Sequence, residues 1–191
     1  MHALLILAAL HLAHDASSQA VAWTRNLPNG DINSQRLGLA MLTDGRVMCQ
    51  SKLTSGVNWL SAIDWSGNHV GSMVFQNGDV LEQVQDGFML AGNYTAEFPL
   101  GGQVLSNSSG WSRCFLGRFN HLGQLQWAAY TDNPTGTGTI VRAMSTSPAG
   151  KTALMLQVGT NATWMGNPMP ATGNGLNLVV LDEEGDLIWQ E

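Results

Sequence analysis

The chain has 191 residues, of which 44% are hydrophobic and 12% are charged, and it carries 14 acidic against 8 basic side chains. This length and composition predict one globular domain with a sizeable core and argue against a disordered chain. The acidic balance leaves no basic stripe for phosphates, which argues against nucleic acid and anionic membrane surfaces as partners, and no apolar run reaches the roughly 20 residues of a membrane span.

Residues 1–20 have the pattern of a secretory signal peptide. An apolar stretch at 3–13 is followed by a polar segment that ends in Ser18 and Ala20, whose small side chains suit cleavage after residue 20. The alternative is a buried first helix, in which three histidines and an aspartate would have to lie in a core. The sequence therefore predicts a secreted protein, or a periplasmic one in a bacterium, with a single mature domain at 21–191.

Secretion bears on two further sequence patterns, the Asn-x-Ser/Thr triplets and the two cysteines. Asn93, Asn107 and Asn161 each begin an Asn-x-Ser/Thr triplet, which is an N-glycosylation acceptor in a eukaryotic host and otherwise ordinary turn chemistry. Cys49 and Cys114 would meet an oxidising compartment, where they either form a disulfide or pack as small hydrophobic side chains. The sequence leaves both alternatives open.

Three hairpins share a turn in which Asp or Asn is followed three residues later by Gly. The pairs are Asp64 and Gly67, Asn120 and Gly123, and Asp182 and Gly185. The first residue can accept backbone N–H groups, and the glycine supplies the positive φ that closes the reversal. In the last two copies a tryptophan follows the glycine by four positions, at Trp127 and Trp189. Equivalent placement predicts that these two side chains pack in the core.

A second kind of hairpin alternates with the first. Its apolar strands flank Gly45, Gly87 and Gly150, and in the first two copies the glycine follows an aspartate, which predicts a type I′ turn. One hairpin of each kind makes a four-stranded antiparallel unit, and the order along the chain predicts three such units. Because no stretch has a sustained helical period, the mature protein is predicted to be all-β.

This pattern resembles the β-propeller repeats of secreted and cell-surface proteins, whose blades combine an apolar strand, an Asp/Asn-x-x-Gly turn and a strand ending in Trp or Tyr. The best match is 115–130 followed by 140–158, and the resemblance covers about 37–190. It implies an incomplete or oligomer-completed propeller that acts as a noncatalytic binding module. Propellers close with four to eight blades, so a closed threefold β fold of trefoil or prism type is the alternative. Open edge strands would favour self-association.

No motif predicts a cofactor, a metal site or a catalytic centre. The acidic run at 182–186 reads as a solvated hairpin tip, because calcium needs more oxygen ligands, and His69 and His121 lack zinc-ligand spacing. The chain has no Gly-x-Ser-x-Gly elbow and no phosphate-binding glycine loop. A glycosidase-like pair of carboxylates remains an alternative, since such a pair is assembled in space from different units.

The candidate ligand-binding residues are the tryptophans outside the repeated position, namely Trp59, Trp65, Trp111 and Trp164. Trp65 lies inside a turn where the other copies have His121 and Glu183, which predicts a surface indole that could stack on a sugar or anchor a protein. The alternative for the other three is packing beneath loops. The sequence thus favours a secreted noncatalytic module for a glycan or protein ligand. The other two hypotheses are a secreted hydrolase or redox enzyme on the same scaffold, and a structural or adhesive segment of a larger assembly.

Overall fold

The computed structural model describes residues 38–52, 58–75, 78–132, 138–170 and 175–190. The predicted signal peptide lies outside these ranges. The described residues form β-strands and turns, and every strand pair is antiparallel, which confirms the all-β prediction. They include no helix with the length and hydropathy needed to cross a membrane.

The strands are numbered in chain order as β1 (Leu39–Met41), β2 (Val47–Lys52), β3 (Asn58–Ile63), β4 (His69–Phe75), β5 (Gly78–Val84), β6 (Gly87–Tyr94), β7 (Phe98–Leu100), β8 (Gln103–Leu105), β9 (Arg113–Asn120), β10 (Leu125–Asp132), β11 (Ile140–Thr146), β12 (Thr152–Val158), β13 (Thr163–Trp164), β14 (Asn167–Pro168), β15 (Gly175–Leu181) and β16 (Leu187–Gln190). In β12 every second side chain is buried, as expected for a strand with one face on a core. Nearly all of β6 is buried, because its sheet is covered on both faces.

Three four-stranded antiparallel meanders follow the predicted repeat. The first sheet has the order β1-β2-β3-β4, the second β5-β6-β9-β10 and the third β11-β12-β15-β16. The short strands β13 and β14 extend the second sheet beyond β10, and β7 pairs with β8 in a separate hairpin. Each sheet therefore contains one hairpin of each kind. The two terminal hairpins lie in different sheets, and no sheet of the described strands closes on itself.

The Asp/Asn-x-x-Gly turns have the geometry that the sequence predicts. Asp64 Oδ1 accepts the backbone N–H groups of Ser66 and Asn68 at 2.9 and 2.8 Å. The side-chain oxygens of Asn120 and Asp182 accept the same two bonds in their own turns. The three turn glycines have φ between 79° and 90°. These bonds join residues within four positions of each other, so each turn is specified locally.

The predicted type I′ turns at the two Asp-Gly pairs are wrong. Gly45, with φ 84°, donates its N–H to Leu42 O at 3.0 Å and closes the same four-residue turn as the other kind of hairpin. Gly87 lies within β6 and has no positive φ. A Cβ atom on Gly87 would lie 1.9 Å from the carbonyl oxygen of Phe119, so the close approach of β9 is what requires glycine there.

The three sheets pack against one another through two apolar cores. The core between the first and second sheets includes Met48, Leu60, Phe88, Phe115 and Phe119. The core between the second and third sheets includes Met89, Leu116, Leu154, Val179 and Trp164. The leading strands are also neighbours, since β5 contacts both β1 and β11. We call the space between the first and second sheets the first junction and that between the second and third sheets the second junction.

Candidate functional site

The predicted ligand-binding tryptophans occupy three different environments. Trp65 and Trp111 are 54% and 51% exposed. Trp164 is fully buried in the core of the second junction, which is the packing alternative that the sequence left open for it. For Trp59 the structure describes the backbone in β3, and its side chain lies outside the described part.

The two exposed tryptophans are not brought together. Trp111 precedes β9, in a loop held by Asn107, whose Nδ2 donates to the carbonyl oxygens of Trp111 at 2.7 Å and Tyr94 at 3.2 Å. Trp65 lies in the β3–β4 turn, near the β9–β10 turn at the other end of β9. A strand of this length separates the two ends by about 23 Å. The two indoles therefore cannot share one small ligand.

A cleft of about 170 Å³ lies in the first junction, between strands β2 to β4 and the β9–β10 turn. Its lining residues are Arg46, Met48, Leu60, Ala62, Val70, Gly71, Ser72, His121, Leu122 and Gly123. Val70 and Leu122 are 50% and 63% exposed and border its mouth. Its walls combine five apolar side chains with the polar side chains of Arg46, Ser72 and His121.

The repeat explains why this cleft is open. Gly71 pairs with Ala62 across the first-kind hairpin, as Trp127 pairs with Arg118 and Trp189 with Val180 in the next two sheets. All three of these residues follow their turn glycine by four positions, so they are equivalent in the repeat. A Cβ atom on Gly71 would meet nothing within 4 Å. The first sheet thus has open space at the position where the other two sheets have an indole.

In the second junction the indole fills that space. A Cβ atom on Gly185 would lie 2.9 Å from the ring of Trp127, so the ring packs closely against the β15–β16 turn. The Trp127 Nε1–H donates to the carbonyl oxygen of Glu183 at 3.0 Å, and Arg118 Nη1 donates to the same oxygen at 2.5 Å. The repeat position therefore accepts a flat ring between one sheet and the turn of the next.

Charged groups lie at the mouth of the cleft. Arg46 Nε donates to Asp44 Oδ2 at 2.8 Å. This side-chain hydrogen bond is the main cause that holds the pKa of Asp44 below its usual value. A Cβ atom on Gly45 would lie 4.0 Å from the Trp65 side chain, so the indole packs beside the turn that carries Arg46. Trp65 thus packs beside Gly45, whose neighbour Arg46 lines the cleft together with His121.

The residues that line the cleft include no carboxylate and no cysteine. The cleft therefore lacks the pair of carboxylates that a glycosidase requires. His69 Nε2 and Ser72 Oγ are 2.6 Å apart beside it, but both side chains are exposed. Among the described residues, no three His, Cys, Asp or Glu side chains come together as a metal site would need. The arrangement offers apolar contact and hydrogen bonds to a ligand.

The two cysteines lie in different sheets as free, buried thiols. Burial raises the pKa of Cys49 to about 11, and burial also raises the pKa of Cys114 well above its usual value. Both groups are therefore protonated near neutral pH and are poor nucleophiles. Of the two alternatives left open by the sequence, the structure has hydrophobic packing and no disulfide.

The three Asn-x-Ser/Thr asparagines differ in how accessible their side-chain nitrogens are to glycosylation. Asn93 Nδ2 donates to Asp79 Oδ2 at 2.7 Å, while its oxygen accepts the backbone N–H of Val141 at 3.0 Å and so links the second sheet to the third. Asn107 is 8% exposed, and both bonds of its nitrogen hold the Trp111 loop. A glycan on either nitrogen would have to displace these bonds. Asn161 is exposed in a turn.

Sequence reasoning found Trp65 but missed the cleft beside it. The missed residues include Gly71, Arg46 and Leu122. The sequence did contain a signal for the first of them, since Gly71 departs from the tryptophan of the other two copies. No protein-family model matches the sequence, and no curated protein matches it at a significant level.

Proposed function

We propose that this chain is a secreted, noncatalytic binding module of propeller-like four-stranded repeats, and that it binds a flat ring of a glycan or protein ligand in the cleft of the first junction. The observation that carries this proposal is the open space at Gly71 in the first sheet. At the equivalent position of the second sheet, the indole of Trp127 occupies this space in the second junction. Secretion rests on the predicted signal peptide at 1–20.

Two observations support the propeller-like arrangement. The second sheet is buried on both faces, as a blade between two neighbours would be, and β6 and β9 are almost entirely buried. The leading strands β1, β5 and β11 are neighbours, which is the order expected around a common axis. In a trefoil or prism each sheet would instead keep one face outward.

The chemistry of the cleft favours a flat, partly apolar ring. Met48 and Leu60 provide an apolar floor, and Arg46 and His121 provide hydrogen-bonding groups at the mouth. An aromatic side chain of a partner protein could occupy the cleft as the Trp127 indole occupies the second junction. The apolar face of a sugar ring is a second flat group of suitable shape. Trp65 beside the mouth adds a surface on which either ring can stack.

Binding can be measured by methyl NMR with two kinds of probe, N-acetyl-tryptophanamide and a panel of defined oligosaccharides. We expect one class to shift the methyl signals of Met48, Leu60 and Leu122, with saturation. Gly71→Trp should abolish these shifts, because the new indole fills the cleft. Trp65→Ala should weaken binding about tenfold or more, as loss of an aromatic anchor does.

The matched control is Trp111→Ala, which removes an equally exposed indole at the other end of β9 and should leave binding unchanged. Trp65→Ala should change the free energy of unfolding by no more than about 0.5 kcal/mol, as for other surface positions. The proposed function fails if neither probe class shifts the cleft methyls, or if Gly71→Trp binds as well as the unmodified chain.

A further inference from the structure

The first sheet is buried on both of its faces. Met48 and Leu60 are buried in the core of the first junction. On the opposite face, which we call the outer face of the first sheet, Val47, Cys49 and Ile63 are 7%, 4% and 2% exposed. Among the described residues these three form an apolar cluster of their own, separate from the two cores. The second sheet lies on the other side, so the outer face has a different cover.

The repeat shows which part of the chain covers the equivalent face elsewhere. Ile63 comes directly before its turn aspartate, as Leu181 comes directly before Asp182 in the third sheet. Leu181 is fully buried in the second junction, between the third sheet and the second. In that junction the indole of Trp127 packs on the β15–β16 turn. The cover of this face is thus the preceding part of the chain, and its outer strand β10 contributes an indole.

A tryptophan also precedes the first sheet. Trp127 lies 13 positions before the start of β11, the leading strand of the third sheet. Trp23 lies 16 positions before the start of β1, the leading strand of the first sheet. Val21 and Trp23 are two positions apart, as side chains on one face of a strand are. Relative to the sheet that follows it, Trp23 therefore has the sequence position of Trp127.

We propose that the chain's own residues 21–37 cover the outer face of the first sheet, with the indole of Trp23 packed on the β3–β4 turn. This segment has 17 residues and can span about 55 Å when extended, whereas the four strands of the sheet are together about 14 Å across. Residues 53–57 are the alternative cover. They leave β2 and β3 at the end of the sheet that is far from Val47 and Ile63.

The β3–β4 turn has the glycine on which such an indole packs. Gly67 in this turn is equivalent to Gly185, against which Trp127 packs, and Gly67 is buried although it lies at a reversal of the chain. The Trp23 Nε1–H donates to the carbonyl oxygen of residue 65, as the Trp127 Nε1–H donates to that of Glu183. Cleavage after residue 20, which belongs to the proposed secretion, leaves this segment on the chain.

Nuclear Overhauser effects in the unmodified full chain test the contact directly. We expect cross-peaks from the indole protons of Trp23 to the α-protons of Gly67 and to the methyl protons of Ile63. Trp127 supplies the positive control, since a Cβ atom on Gly185 would lie 2.9 Å from its ring. Cross-peaks between Trp127 and Gly185, without any from Trp23 to the first sheet, would overturn the proposal.

Alkylation by iodoacetamide tests the cover at Cys49. Cys49 and Cys114 are both free and buried, but only Cys49 lies on the outer face of the first sheet. Trp23→Gly should raise the alkylation rate of Cys49 about tenfold or more, because this face then opens locally, while Cys114 stays protected. Trp23→Phe keeps a flat ring and should restore most of the protection. The matched control is Trp111→Gly, which removes an exposed indole and should leave the rate unchanged.

A chain that begins at Val21 separates the covering segment from the residues before it. It should protect Cys49 as well as the full chain does, and a loss of protection would assign the cover to residues 1–20 and contradict the proposal. An unchanged Cys49 rate in a folded Trp23→Gly variant would contradict it too. If Trp23→Gly unfolds the chain, so that Cys114 also reacts, the cross-peaks of the unmodified chain decide the question. None of these measurements involves a ligand, so the proposed binding function is tested separately.

Discussion

The first and second junctions are built from the same positions of the repeat, yet one holds a cleft and the other is filled. A Cβ atom on Gly71 would meet nothing within 4 Å, whereas the equivalent Trp127 packs against the β15–β16 turn and donates to the Glu183 carbonyl. The two sheets otherwise share the order of their four main strands and the geometry of the Asp/Asn-x-x-Gly turn. A single position therefore distinguishes a filled space between two sheets from an open one.

The arginines of the two junctions differ in a related way. Arg118 reaches the backbone carbonyl of Glu183 and closes the second junction over the indole. Arg46 belongs to the β1–β2 turn and pairs with Asp44 at the mouth of the cleft. Arg118 therefore links the second sheet to the third, whereas Arg46 is bonded within its own turn and lines the cleft.

The largest expected effect comes from Trp127→Gly, which would make the second junction a copy of the first. Loss of the packed indole should lower the free energy of unfolding by about 3 kcal/mol, the lower end for tryptophan truncation, because Trp127 is only partly buried. Urea unfolding measures this loss. The control is Trp189→Gly at the equivalent, exposed position of the third sheet, and it should cost about 1 kcal/mol. Equal losses of unfolding free energy in the two variants would mean that the indole packed in the second junction adds no stability of its own.

The reverse substitution, Gly71→Trp, should raise the free energy of unfolding by about 1–2 kcal/mol. The gain comes from replacing a strand glycine and from burying an indole under the β9–β10 turn. Thermal and urea unfolding would measure it. Gly87→Trp is the contrasting case, because a Cβ atom there already meets the Phe119 carbonyl oxygen at 1.9 Å, and that variant should not fold. A destabilised Gly71→Trp would show that the two junctions are not equivalent.

The smallest expected effect is a pH dependence confined to the first junction. The pKa of Asp44 is lowered in the folded chain, chiefly by its hydrogen bond to Arg46, so the pair stabilises the fold above the usual carboxyl pKa and loses this effect as the pH falls through the folded value. Asp44→Asn should cost a few tenths of a kcal/mol at pH 7, as for exposed ion pairs. Unfolding curves between pH 5 and pH 2 should show the two proteins converging.

Arg118→Met provides the comparison from the second junction. Its partner is a carbonyl oxygen, which does not titrate, so the cost of this substitution should stay constant over the same pH range. A cost that disappears at low pH in both variants would contradict the separate roles assigned to the two arginines.

Sequence reasoning predicted the units correctly because their signals are local. Each Asp/Asn-x-x-Gly turn is closed by bonds between residues no more than four apart, and the alternation of two hairpins gave the three four-stranded sheets. The same reasoning placed Trp127 and Trp189 together in the core. The structure corrects this for Trp189, which is 43% exposed and lies outside the apolar cores of the described residues.

The sequence by itself determined the all-β class, the Asp/Asn-x-x-Gly turns and the period of the repeat, since strand alternation and turn bonds act over a few residues. Only the tertiary structure decided which tryptophans are buried. Trp164 lies in a core and Trp111 is half exposed, although no local pattern distinguishes the two. Burial and access depend on which sheet packs on which face, and that is a contact between residues far apart in the chain.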